Sequence, residues 1–70
     1  MGKRSVRVAG HPTSVSLEDE FWDALADIAR ARALSVTKLI DEIDAARGAS
    51  GLSSAIRLFV LAHYRKSASD

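Results

Sequence analysis

The 70-residue sequence predicts a mainly α fold with a short β-ribbon, completed by a second copy of the same chain. Three observations carry this expectation. Val15 and Leu17 alternate with Ser14 and Ser16, so one strand face is apolar and the other small and polar. From Phe21 the apolar spacing becomes helical, through Leu25 and Ile28, and again through Val36, Leu39, Ile40 and Ile43. A strand running from Thr13 to Leu17 has no partner inside a strand-helix-helix unit, and pairing with its own copy is the simplest remedy.

Size and composition support association. A chain of 70 residues is one domain, 1–70, and a core of that size is marginal without a crosslink, a metal or a partner. There is no cysteine, so disulfides and thiolate metal sites are excluded and dimerisation is left as the source of extra burial. No run reaches the length of a membrane span, and the N-terminus lacks the apolar core of a signal peptide. A cytoplasmic protein is expected, with no membrane partner.

Charge is informative as a distribution. The net value is only +1, yet Lys3, Arg4 and Arg7 precede every acidic side chain. Glu18, Asp19, Glu20, Asp23 and Asp27 then follow without a basic residue among them, and Arg65 and Lys66 restore positive charge near the C-terminus. The acidic run reads as the solvated face of a helix; the basic arm reads as a solubilising or phosphate-binding segment.

Along the chain, a strand region covers about 4–17. Ser5 to Ala9 places Val6 and Val8 on one face and Ser5 and Arg7 on the other, before Gly10-His11-Pro12 interrupts it. Two arrangements satisfy this pattern, a bent edge that extends the ribbon or a hairpin that folds back. A first helix is expected over about 18–32, with its acidic first turn facing the positive end of the helix dipole. It buries Phe21, Leu25 and Ile28, with Ala29 and part of Trp22 at the margin. Ser35 is placed to cap a second helix over about 36–47, which Gly48 stops. A third helix follows over about 53–65, where Leu52, Ile56, Phe59 and Val60 mark one side and Ala55, Leu58, Leu61 and Ala62 widen it. So broad an apolar surface asks for cover on two sides.

The run from Ser14 to Leu25, then Ile28-Ala29, then Leu34-Ser35-Val36-Thr37-Lys38-Leu39-Ile40, resembles the ribbon-helix-helix superfamily of the methionine and Arc repressors. Lys3-Arg4-Ser5-Val6, Gly10-His11, Phe21-Trp22 and Leu52-Ser53-Ser54-Ala55-Ile56-Arg57 are further similar to small bacterial members of about this length. The resemblance implies an intertwined homodimer with an additional C-terminal helix, whose antiparallel ribbon enters the major groove of double-stranded DNA. Val15, Leu17, Phe21, Leu25, Ile28, Val36, Leu39, Ile40 and Ile43 would form the dimer core. Pro12, Ser14 and Ser16 would face outward, and Ser35 with the amides of Val36 and Thr37 would hold a phosphate.

Two departures from the family pattern carry expectations of their own. Ser14 and Ser16 are short and offer no bidentate fork, so few base contacts are expected from the ribbon itself. Ala33 stands where the inter-helix turn often has Gly, so the turn is expected to differ in shape or to strain.

DNA binding that regulates transcription is thus the leading expectation, with Lys3, Arg4, Arg7, Ser14, Ser16, Ser35, Val36 and Thr37 as its site. The alternatives are a protein-interaction module on the same dimer fold, or an antitoxin-type partner, the latter weakened by the short tail after the third helix. His11 and His63 have no carboxylate or second histidine at ligand spacing, so neither a metal nor a catalytic role is expected. Trp22 and Tyr64 read as packing residues. No cofactor is implied, and no arrangement of side chains suggests an enzyme.

Overall fold

A computed structural model describes residues 2–68. Two strands, β1 (Gly2–Val8) and β2 (His11–Leu17), precede three helices, α1 (Asp19–Ala31), α2 (Val36–Ala46) and α3 (Leu52–Ala68). The strands pair antiparallel, from Val8 opposite His11 at the tip to Gly2 opposite Leu17 at the base. Of the two arrangements that the sequence allows, the hairpin is the one adopted. The expectation that the Thr13–Leu17 strand lacks a partner in its own chain is therefore corrected: β1 supplies it.

Backbone geometry at the tip explains the hairpin. Ala9 and Gly10 both have positive φ, 52° and 83°. Two consecutive left-handed residues make the two-residue turn whose twist matches that of paired strands. Gly10 adopts this conformation freely, whereas Ala9 bears a steric cost. His11 and Pro12 therefore lie within β2, not in the interruption. Pro12 sits opposite Arg7, at a position whose amide would point away from β1, so its missing N–H breaks no bond of the hairpin.

Two hydrogen bonds pin the hairpin to the helices. At its tip the Ala9 amide donates to Asp41 Oδ1 of α2 over 3.0 Å. At its base the Trp22 indole N–H of α1 donates to the Gly2 carbonyl over 2.9 Å. A Cβ at Gly2 would lie 2.9 Å from Asp19 Oδ1 and 3.4 Å from Trp22, so the start of β1 approaches α1 closely. Trp22 is only 3% exposed, which moves it from the margin into the core.

The core is continuous within the single chain. Val8, Val15, Leu17, Trp22, Leu25, Ile28, Ala29, Leu39, Ile40, Ile43, Ile56 and Val60 are all buried. Phe21 and Val36 are half-buried beside them. Most residues expected to be covered by a second protomer are thus already covered by the hairpin and α3. β1 packs on α2, and β2 on α3.

Helix ends follow local chemistry. Arg32 ends α1; the Ala33 amide then donates to the Arg30 carbonyl, and the Leu34 amide to the Ala29 carbonyl over 2.8 Å. This pair of bonds is a Schellman cap, with Ala33 in the left-handed region at φ 57°. The turn keeps the shape that glycine would favour and carries the strain of an alanine there. Ser35 Oγ accepts from the Lys38 amide over 3.1 Å and caps α2. α3 runs three residues further than expected, to Ala68, and leaves Leu58, Leu61 and Tyr64 exposed.

Candidate nucleic-acid interface

The hairpin register sorts every ribbon side chain onto one of two faces. Opposed residues of an antiparallel pair share a face, and the faces alternate along each strand. Val15 and Leu17 are buried, so their partners Arg4 and Gly2 also face the helices. The other face carries Lys3 opposite Ser16, Ser5 opposite Ser14, and Arg7 opposite Pro12. Lys3, Ser5, Arg7, Pro12 and Ser14 are exposed and Ser16 is half-buried.

This outward face brings together four of the expected site residues, Lys3, Arg7, Ser14 and Ser16, and adds Ser5 between the two cations. Arg4 is separated from them. Its guanidinium lies over the Trp22 ring, 4.7 Å from the centroid, on the helix side of the sheet. The period of two was the signal for this: with Ser5 and Arg7 outward, Lys3 must follow them and Arg4 must not.

Ser35, Val36 and Thr37 occupy the first turn of α2 as expected. Ser35 and Thr37 are exposed, and Val36 is half-buried. The Ser35 hydroxyl is engaged by Lys38, while the Val36 and Thr37 amides precede the first helical acceptor and have no carbonyl one turn back to meet. No hydrogen bond links this turn to the hairpin among the described residues.

Other charges lie elsewhere. Asp19, Glu20, Asp23 and Asp27 are exposed on α1, and Asp27 pairs with Arg30 over 3.4 Å. Glu18 Oε1 accepts from Arg57 Nε over 2.9 Å, joining the end of β2 to α3. That bond, helped by the Glu18 backbone amide, holds the Glu18 carboxyl below the usual range. Arg57 was invisible in the sequence, because its partner is 39 residues away. An apolar groove of about 330 Å³ between α2 and α3 is lined by Ile43, Ala46, Ala55, Leu58 and Phe59. Arg47 stands at its rim, bonded to Asp44 over 2.6 Å and to the Ser50 carbonyl.

Among the described residues no group of three His, Asp or Glu side chains is placed to hold a metal. No described helix is long and apolar enough to cross a membrane. Comparison with curated proteins and with solved structures returns no significant match. The family model for the ribbon-helix-helix domain matches residues 1–64, across the hairpin, α1, α2 and most of α3. The chain belongs to the ribbon-helix-helix domain family, whose members generally bind DNA or act in transcription regulation or as antitoxins.

Proposed function

We propose that this protein is a dimeric DNA-binding protein of the bacterial cytoplasm that regulates transcription by laying its ribbon in the major groove. One observation carries the reading: the hairpin register gathers Lys3, Arg7, Ser5, Ser14 and Ser16 on a single exposed face. Cations on that face neutralise phosphate, and the hydroxyls meet base edges or sugar-phosphate oxygens. Short hydroxyls discriminate weakly, so specificity over random duplex sits nearer 10³ than 10⁷ as an order of magnitude.

A duplex titration at two salt concentrations, with random and genomic fragments, tests this. The expected result is binding that weakens steeply with salt and differs modestly between the two pools. Ser14→Glu and Ser16→Glu each place a negative charge on the face and abolish binding while the fold persists. If both variants stay folded and bind as the parent does, the ribbon is not the DNA surface.

A protein-interaction role is the second reading. Exposed Leu58, Leu61 and Tyr64 on α3 and the solvated acidic side of α1 favour it, since neither surface suits phosphate. It gains if the wild-type chain binds no duplex at either salt concentration.

A further inference from the structure

We infer that the open edge of β1 takes an extended acidic segment of another protein as a third strand, and that this segment draws Lys3 and Arg7 away from DNA. The docking stands on the hairpin alone, and its regulatory consequence rests on the DNA-binding reading.

The hairpin is the only sheet among the described residues, so β1 keeps one unpaired edge. Because the two-residue turn makes Val8 and His11 a hydrogen-bonded pair, bonded pairs alternate along the hairpin. The amides of Arg4 and Val6 therefore serve β2, while those of Lys3, Ser5 and Arg7 point outward from the edge. Lys3, Arg4, Ser5 and Arg7 are all exposed, which leaves that edge accessible. An extended chain can add to such an edge through backbone hydrogen bonds.

Charge selects the occupant. β1 holds Lys3, Arg4 and Arg7 and no carboxylate. Arg30, Arg32, Arg47 and Arg57 each meet a carboxylate of their own chain, whereas Lys3 and Arg7 have no ion-pair partner among the described residues. Charges on an edge strand ordinarily guard it against aggregation. This guard has one sign. A second β1 paired about Ser5 would set Lys3 of each chain against Arg7 of the other, a like-charge pair made twice. The acidic residues from Asp19 to Asp27 are committed to α1 and supply no strand. A strand of carboxylates from a different protein meets the opposite condition, since unpaired cations and unpaired backbone donors lie together on this edge.

The register specifies the occupant further. In an antiparallel pair the residues opposite Lys3 and Arg7 share their face, four positions and about 13 Å apart. Carboxylates belong at both. A small polar residue fits between them, opposite Ser5. The residue opposite Val6 turns to the helix side, where Val6 packs against the core, so an apolar side chain belongs there. Read antiparallel to β1 from Arg7 to Lys3, the partner motif is acidic, apolar, small, unconstrained, acidic. Once seated, its two carboxylates neutralise the two cations that the outward face offers to phosphate.

Amide hydrogen exchange on the intact chain tests the docking, with the peptide Glu-Val-Thr-Thr-Glu, blocked at both ends, as probe. The peptide should slow exchange at Lys3, Ser5 and Arg7. Slowing at Ser14 and Ser16 instead, or at none of these five, overturns the β1 edge. Lysine in place of both glutamates should weaken the peptide about tenfold, and equal binding overturns the charge argument. Proline in place of the central threonine keeps both carboxylates but removes the middle N–H, and should abolish the slowing. Unchanged slowing with that proline overturns strand addition. In a duplex titration the glutamate peptide should lower the apparent affinity for DNA and the proline peptide should not. Unchanged duplex affinity with the glutamate peptide bound overturns the regulation. Wild-type protein that binds no duplex overturns the DNA-binding reading and the regulation with it, while exchange still decides the docking.

Discussion

Arg57 and Glu18, 39 residues apart in sequence, form a 2.9 Å hydrogen-bonded ion pair that fastens α3 to the junction between β2 and α1. The Arg57 guanidinium also lies 5.9 Å from the centre of the Phe21 ring, so one side chain spans two residues of that junction. Because the pair holds the Glu18 carboxyl low, its stabilisation is present above the ordinary carboxylate range and is lost as pH falls through the lowered value. Arg57→Gln should raise the Glu18 pKa toward the ordinary value. A carboxyl-carbon titration reads this directly, and an unmoved Glu18 would show that Arg57 is not the cause.

Ala33 is the clearest candidate for stabilisation. At φ 57° its Cβ is crowded in a cap that glycine fills without strain. Ala33→Gly should raise stability by up to about 1 kcal/mol, after the greater freedom of glycine in the unfolded chain is set against the relief. Urea denaturation measures it. A loss of stability would mean that the strain is smaller than the entropy it offsets.

Leu25 and Ile40 have no exposed surface, and each lies in the core that one chain completes. Leu25→Ala or Ile40→Ala should cost about 2–5 kcal/mol in chemical denaturation. Sedimentation of the same variants adds a second readout. Since the core closes within the chain, the folded fraction should fall even at concentrations where the parent is monomeric.

Arg4 and Arg7 differ in face and should differ in effect. Arg4→Ala removes a cation from the Trp22 ring and should lower stability by about 0.5–1 kcal/mol, with duplex affinity nearly unchanged. Arg7→Ala should weaken duplex binding and leave stability within experimental error. Thermal melts and salt-dependent titrations of the two variants separate the roles, and equal loss of affinity in both would place Arg4 on the DNA face.

The helices were legible because their apolar residues recur at helical spacing and because Ser35 and Gly48 mark the ends of α2. The strand of Val15 and Leu17 was equally plain. Its partner was harder to see, since Ala9 reads as an ordinary strand residue and only its left-handed backbone converts Ala9-Gly10 into a turn. Once Val8 opposes His11, the outward serines and cations follow by alternation, and Arg4 is removed from among them. Trp22 was misplaced because helical spacing does not foresee an indole N–H meeting a carbonyl at the base of the hairpin. Arg57 had no local signal, as a contact between distant segments leaves no period to detect.

A hairpin closed by adjacent residues also sets an order of events. Its strands meet through a two-residue turn, so they zip without waiting for a collision between molecules, on a scale of about 1–10 μs. Ribbons built from two chains must instead assemble at a rate that depends on how much protein the cell contains. Here a newly made chain finishes its strand pairing alone. Dilution therefore leaves that pairing intact.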